Sequence, residues 1–190
     1  QKPGQEQDPE LSEQLFRIEE YVNMVLQYLR VDGDNDLVVQ WNDLDLMVRQ
    51  AVHRYAGMFI RKKLSLSYEP LNRKVLTDEK WLVFAVEQIL SNAVKYTGQG
   101  GISIYLEPGP DTVLAIRDTG TGIALEDQPR IFEKGFTGYN GHADKRSTGI
   151  GLYLCRRILN RLSHEITVES EPGKGTIMRI WFAKERLEVE

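Results

Sequence analysis

The chain has 190 residues, of which 41% are hydrophobic and 9% aromatic, a composition typical of a folded globular protein. Its 24 Lys and Arg against 28 Asp and Glu give a net charge of -4, which argues against a strongly basic nucleic-acid-binding protein. The longest apolar run, Trp81 to Val86, is far shorter than the roughly 20 residues of a membrane-spanning helix. The single cysteine, Cys155, excludes an intrachain disulfide and a cysteine-rich zinc site.

The first predicted element is a long amphipathic helix near the N-terminus. Its apolar residues recur at alternating spacings of four and three, over about three heptads: Leu11, Leu15, Ile18, Val22, Val25 and Leu29. Two interpretations fit this seam. The helix packs on the adjacent domain, or it belongs to a helical bundle shared with another segment or chain. The regularity of the spacing favours the bundle.

Strands and helices alternate in the rest of the chain. The predicted strands cover residues 37–41, 64–68, 74–76, 102–106, 112–118, 166–169 and 176–182. The predicted helices cover residues 43–60, 77–96 and 148–162. Eleven of the 16 glycines lie between Gly98 and Gly151, so a ligand site is expected in that region. This mixture of elements predicts an α+β fold, a two-layer α/β sandwich.

The helix predicted over residues 77–96 carries the first candidate site residues. Gln88, Asn92 and Lys95 share one helical face because they are four and three residues apart. An amide oxygen can ligate Mg²⁺ and an ammonium can hold phosphate, so this face could bind a metal-bridged polyphosphate. The alternative is an ordinary solvated helix face.

Three further segments follow in order along the chain. Asp118 ends a predicted strand before Gly120 and Gly122, where a carboxylate could accept an amino group of a base; the alternative is a common turn. A second segment covers residues 131–138. The third, residues 147–152, opens a predicted helix with two glycines, and such a helix start favours an anion. The glycine spacing matches neither a P-loop nor a Rossmann fingerprint.

In this combination and order, the four segments resemble the N box, first glycine box, F box and second glycine box of the Bergerat-type ATP-binding fold. The turn at residues 173–176 resembles the last glycine–threonine turn of that superfamily, which includes DNA gyrase and histidine kinases. The chain is most similar to the catalytic ATP-binding domain of bacterial sensor histidine kinases, and among them to intramembrane-sensing kinases that respond to antimicrobial peptides. The resemblance implies a Bergerat α/β sandwich over residues 34–190. Residues 1–33 would be a polar leader and the second helix of a dimerisation and phosphotransfer hairpin.

The resemblance also implies roles for individual residues. Gln88 and Asn92 would be catalytic and would hold Mg²⁺. ATP would be bound by Asn92, Lys95, Tyr96, Asp118, Gly120, Gly122, Ile123, Phe132, Lys134, Phe136, Thr148, Gly149, Ile150, Gly151, Leu152 and Thr176. Tyr96 would stack on adenine and Asp118 would accept its amino group. A lid over the phosphates would carry three cations: Lys134, Lys145 and Arg146.

Gln88 is the residue that separates phosphoryl transfer from hydrolysis. Water-splitting members of the superfamily carry Glu there as a general base, whereas an amide cannot accept a proton at neutral pH. Glu87 is adjacent in sequence, but one helical step turns its side chain about 100° away. The site is therefore expected to position ATP for a protein acceptor.

None of the three histidines fits the phosphate acceptor. His53 and His142 are expected at the surface or in packing, and His164 lies between a predicted helix and a predicted strand. The acceptor is expected upstream, on the dimerisation domain of a longer parent protein.

The resemblance implies ATP and Mg²⁺ as cofactors, a response regulator as partner and a homodimeric parent. This chain would be the cytoplasmic portion of a membrane-bound kinase, with no contact to nucleic acid or membrane. Two alternatives remain: a nucleotide-gated interaction module that binds ATP without turnover, and a mechanochemical ATPase, against which Gln88 argues.

Overall fold

The computed structural model describes residues 9–31, 37–138 and 148–183, and the chain divides into two compact units, Gln1–Asp36 and Leu37–Glu190. The first unit holds helix α1, Pro9–Arg30, with Glu10 in its first turn and Arg30 in its last, as the helix dipole favours. Four residues of the predicted seam are more than half exposed: Leu11, Leu15, Ile18 and Leu29. Within the described ranges, no helix is both long and apolar enough to cross a membrane.

The second unit contains two sheets and a layer of helices. Its strands are β1 Gln40–Asp43, β2 Ser65–Tyr68, β3 Lys74–Thr77, β4 Gly101–Leu106, β5 Val113–Asp118, β6 Glu165–Glu171 and β7 Gly175–Trp181. Its helices are α2 Leu44–Lys62, α3 Glu79–Tyr96 and α4 Gly151–Arg161, with a short 3₁₀ turn at Gln128–Arg130. The main sheet has the order β2–β4–β5–β7–β6, in which only β2 and β4 pair in parallel. Strands β1 and β3 form a separate antiparallel pair.

The core lies between the helices and one face of the main sheet. Helix α3 contacts α2, α4 and strand β5, and its residues 81–86 are all buried. The facing strands contribute fully buried side chains, among them Ile104, Leu114 and Ile180. Burial of such apolar surface is the main force that holds the two layers together. The predicted two-layer α+β architecture is confirmed.

Two of the predicted helix starts are wrong, each for a local reason. Helix α3 begins at Glu79 rather than at Thr77, because Thr77 belongs to β3 and the Asp78 side chain accepts the Trp81 N–H at 3.0 Å as the N-cap. Helix α4 begins at Gly151 rather than at Thr148, because Gly149 has φ +64° and so cannot be part of a right-handed helix.

The register of the main sheet brings four strand ends together. Asp118, the last residue of β5, lies opposite Ile102 of β4 on one side and Thr176 of β7 on the other. Thr176 in turn lies opposite Ser170 of β6. We call this end of the strands the Asp118 end of the sheet. At the opposite end, which we call the His164 end, Trp181 pairs with Val113 and Glu165.

Candidate functional site

Asp118 forms the floor of the candidate site. Its side chain is buried, its Oδ1 accepts the Gly120 N–H at 2.8 Å, and its carboxylate also accepts the Thr176 N–H. Burial raises the pKa of the Asp118 carboxyl, and these two N–H donors oppose the shift by stabilising the charged form. A buried acceptor is thus held in place by backbone on both sides.

The two glycines after Asp118 allow the loop to pass between the end of α3 and the end of β6. A Cβ on Gly120 would lie 2.5 Å from the Tyr96 carbonyl oxygen. Gly122 has φ +69°, and a Cβ there would lie 2.1 Å from the Glu171 carbonyl oxygen. The Thr121 N–H donates to the Tyr96 carbonyl at 3.1 Å. The first glycine box therefore packs directly on the C-terminal end of α3 and on the turn between β6 and β7.

Ser170 connects three segments of this floor and was not singled out from the sequence. Its Oγ accepts the Ile123 N–H at 2.8 Å and lies 2.8 Å from the Gly175 carbonyl oxygen and 2.9 Å from Thr176 Oγ1. Ser170 follows Ile166 and Val168 on the same face of β6. A polar residue on an otherwise apolar strand face was the available sequence signal.

Gln128 is a second residue that sequence analysis missed. Its Nε2 donates to the carbonyl oxygens of Ile123 at 3.1 Å and of Ser170 at 2.8 Å. The side chain thereby joins the loop after the first glycine box to strand β6. No sequence signal marks it, because one of its two partners, Ser170, is 42 residues away along the chain.

Helix α3 and the second glycine box meet at Gln88. A Cβ on Gly151 would lie 2.6 Å from Gln88 Oε1, so the amide packs against the first residue of α4. The Glu87 carboxylate instead lies 3.8 Å from Arg54 Nε of α2. The two adjacent side chains therefore have different neighbours, as the helical step predicts.

The remaining predicted residues of α3 lie on its last turns and are half-buried: Asn92, Lys95 and Tyr96. Lys95 Nζ lies 5.2 Å from the centroid of the Tyr96 ring. Lys62, the last residue of α2, donates from its ammonium to the carbonyl oxygens of Val94 and of Lys95. A cation at the C-terminal end of a helix is favoured by the helix dipole, and here it holds the turn that carries Tyr96.

The F box packs against the second glycine box. Gly149 has φ +64°, and a Cβ there would lie 2.5 Å from the Gly135 carbonyl carbon. The Gly135 N–H donates to the Gly149 carbonyl oxygen at 2.9 Å. Phe132 is buried, and the Arg130 guanidinium lies 4.5 Å from the centroid of the half-buried Phe136 ring.

The other predicted ATP-binding and lid residues differ in exposure. Lys134 and Thr148 are exposed, whereas Ile150 and Leu152 are half-buried. Lys145, Arg146 and His142 lie outside the described residues. No group of three or more His, Cys, Asp or Glu that could hold a metal ion occurs in the described ranges.

The five motifs thus form one connected set. Helix α3 contacts both the first and the second glycine box, and the second glycine box contacts the F box. The last turn contacts Asp118 at the floor. The set offers a buried acceptor, amide and ammonium groups on one helix, and a glycine turn at a helix start. The roles assigned to the individual residues stay predictions.

His164 and Cys155 are buried outside this set. His164 Nδ1 accepts the Ala183 N–H at 3.4 Å, and its Nε2 lies 3.0 Å from Thr77 Oγ1. Burial lowers the pKa of His164 to about 4. Cys155 is fully buried with its Sγ 3.5 Å from the Ala85 carbonyl oxygen, and burial raises the pKa of its thiol. Both side chains pack inside the fold.

Known proteins resemble this chain in sequence and in fold. Sensor protein BceS of Bacillus subtilis (strain 168) is 37% identical over 175 residues, which cover 91% of this chain and 52% of BceS. The chain spans about half the length of the curated relatives it matches.

Two solved structures show the same fold. Full-length ShkA in complex with AMPPNP has a TM-score of 0.72 at 23% identity and covers 90% of this chain and 37% of its own. Histidine kinase ThkA in complex with response regulator protein TrrA has a TM-score of 0.70 at 19% identity and covers 97% of this chain and 53% of its own.

A family model also matches the chain directly. It is described as histidine kinase-, DNA gyrase B-, and HSP90-like ATPase, and it matches residues 77–186, more than half of the sequence. The match begins just before α3 and ends beyond β7, so it contains all five motifs. The chain therefore belongs to the family of histidine kinase-, DNA gyrase B-, and HSP90-like ATPases.

Proposed function

We propose that this chain is the ATP-binding kinase domain of a sensor histidine kinase. It would transfer the γ-phosphate of ATP to a histidine on its own dimerisation domain, for relay to a response regulator. The observation that carries this proposal is the neutral amide of Gln88 against Gly151, with the Glu87 carboxylate beside Arg54 instead. A site without a general base at this position favours transfer to a protein acceptor over attack by water.

The residues present suit Mg²⁺ and ATP. Amide oxygens such as those of Asn92 and Gln88 are hard ligands, and Mg²⁺ commonly combines one or two protein ligands with waters and phosphate oxygens. A bound Mg²⁺ would neutralise phosphate charge. Lys95 would add a point charge on the same helix, and Asp118 would accept the amino group of the base.

The proposed partners follow from the first unit and from the relatives. The exposed seam of α1 supports a helix that pairs with others in a dimerisation hairpin, and hence a homodimeric parent. ThkA, which shares the fold, was crystallised with a response regulator, and such a regulator is the proposed acceptor of the relay here. The parent would be a membrane-bound kinase that responds to antimicrobial peptides, with this portion in the cytoplasm.

The first experiment is a calorimetric titration of the chain with ATP, in Mg²⁺ and in EDTA. Affinity should fall at least about tenfold in EDTA, and Asn92→Ala should remove most of that difference. Asn160→Ala, on the exposed surface of α4, is the matched control and should keep it. Equal affinities in both buffers would contradict the metal role of Asn92.

The second experiment uses the full-length parent and γ-labelled ATP. Acid-labile, alkali-stable label on the protein indicates phosphohistidine and supports the kinase. Gln88→Glu should divert turnover towards release of inorganic phosphate, because it supplies the missing base. Tight ATP binding without label or phosphate release would favour the interaction module instead.

A further inference from the structure

The Ser170 hydroxyl has a complete set of hydrogen bonds, and this set fixes where its proton lies. A serine hydroxyl offers one hydrogen and two lone pairs. The Ile123 N–H, 2.8 Å away, donates into one lone pair. The Gly175 carbonyl oxygen, also 2.8 Å away, has no hydrogen, so the single Ser170 hydrogen must point to it.

The third contact then determines the orientation of the Thr176 hydroxyl. Thr176 Oγ1 lies 2.9 Å from Ser170 Oγ, and one of the two oxygens must supply a hydrogen. Because the Ser170 hydrogen is committed to Gly175, Thr176 donates to the remaining lone pair of Ser170. The Thr176 hydroxyl then keeps only lone pairs for any other partner and acts as an acceptor.

Thr176 and Asp118 are register partners on adjacent antiparallel strands, so their side chains lie side by side on one face of the sheet. The ionised Asp118 carboxylate is also an acceptor only. We propose that Ser170 is a positioning residue that holds the Thr176 hydroxyl as an acceptor, so that the floor selects a purine with an amino group at position 6. The proposal rests on the proposed function, namely that ATP binds here.

The selectivity follows from hydrogen-bond chemistry. The amino group of adenine donates, whereas the carbonyl oxygen at the same position of guanine or hypoxanthine only accepts. Two acceptors that face a carbonyl oxygen leave polar groups unpaired, which binding sites reject strongly. Without the Ser170 hydroxyl, the Thr176 hydrogen is free to rotate and donate to that carbonyl.

The test compares ATP with ITP, which differ at position 6 and N1 of the base and have the same triphosphate. Affinities are measured by calorimetry in Mg²⁺ for the unmodified chain, Ser170→Ala, Ser170→Thr, Thr176→Val and the double variant Ser170→Ala/Thr176→Val. The unmodified chain should prefer ATP by at least about tenfold. Ser170→Ala should reduce this preference at least about threefold, partly through better ITP binding, and Ser170→Thr should restore it.

The double variant separates positioning from a merely structural role. If Ser170 acts through Thr176, the double variant should have the same ratio of ATP to ITP affinity as the single variant Thr176→Val. An unchanged preference in folded Ser170→Ala, or additive effects in the double variant, overturns the proposal while ATP binding stands. Absence of ATP binding by the unmodified chain overturns the proposed function as well. If Ser170→Ala does not fold, Thr176→Val must lose the preference and Thr176→Ser must keep it; any other result overturns the proposal.

Discussion

The two ends of the main sheet each bury one titratable side chain, His164 or Asp118. The two side chains differ in how many of their hydrogen-bonding positions are occupied. At the His164 end, both imidazole nitrogens are occupied, since Nδ1 accepts the Ala183 N–H and Nε2 therefore carries the proton that faces Thr77 Oγ1. At the Asp118 end, the carboxylate accepts two backbone N–H groups, although it has about four lone-pair positions.

The contrast between the two ends shows how a buried ionisable group can be assigned to binding or to packing. Burial shifts both pKa values in the direction that favours the neutral form of each group. A pKa shift alone therefore does not distinguish a binding group from a packing group. Remaining hydrogen-bonding capacity does separate them, because His164 has no position left for a ligand and Asp118 has. Substitution of the His164 side chain should therefore alter stability, and substitution of the Asp118 side chain should alter binding.

The largest expected effect is the pH dependence of stability at the His164 end. His164 has a pKa of about 4 in the fold against an ordinary 6.5, so the unfolded chain takes up its proton first. Stability is complete above pH 6.5 and falls as the pH drops towards 4, by about 3 kcal/mol in total.

His164→Gln should remove this slope, which urea unfolding at pH 7 and pH 4.5 would measure. The exposed His53 gives the matched control, and His53→Gln should keep the slope. ATP affinity at pH 7 should stay within about twofold in both variants. An unchanged slope in His164→Gln would show that other groups govern the acid sensitivity.

The second effect concerns the backbone of the Asp118 end. Gly122→Ala should lower the free energy of unfolding by about 2–3 kcal/mol, since it combines a positive φ with a clash against the Glu171 carbonyl oxygen. Gly173 also has a positive φ, +79°, but a Cβ there meets no atom within 4 Å. Gly173→Ala should therefore cost only about 1 kcal/mol, and equal losses would mean that strain alone acts at both glycines.

The third prediction is the direct test of Asp118 as the binding group. Asp118→Ala should weaken ATP binding about ten- to a hundredfold, since a hydrogen bond to a charged group contributes roughly 1.5–3 kcal/mol. Its effect on stability should be small. Because burial raises the pKa of this carboxyl, its ionisation opposes folding as the pH rises above the ordinary value of 3.8, the reverse of the His164 slope.

Calorimetry with ATP and GTP, beside a melting curve, decides between the two roles of Asp118. The unmodified chain should bind GTP poorly, and the Ala variant should lose that preference. If Asp118 only caps the turn before Gly120, the melting temperature falls and the preference stays.

The sequence was informative where local patterns set the structure. The strand alternation around Asp118 predicted β4 and β5, which pair in the fold. It failed where a partner from a distant segment decides. Ser170, which contacts Ile123, and Lys62, which contacts the last turn of α3, both depend on neighbours that only the folded chain supplies.

Substitution of Lys62 has the smallest expected effect, and it tests one contact near the Asp118 end. Its ammonium donates to the Val94 and Lys95 carbonyl oxygens at the C-terminal end of α3, next to Tyr96. Lys62→Met should lower stability by about 1 kcal/mol, because those carbonyls lose a charged donor at the negative end of the helix dipole.

The same variant should weaken ATP binding about threefold, since the last turn of α3 carries Lys95 and Tyr96. Lys63 is the matched control, because it is exposed, and Lys63→Met makes the same change in charge. Calorimetry with ATP on both variants distinguishes the loss of the Lys62 contact from the loss of one positive charge. Equal weakening by Lys62→Met and Lys63→Met would mean that net charge, rather than this contact, supports the Asp118 end, and the assignment of its polar groups to binding would then rest on Asp118 and Thr176 alone.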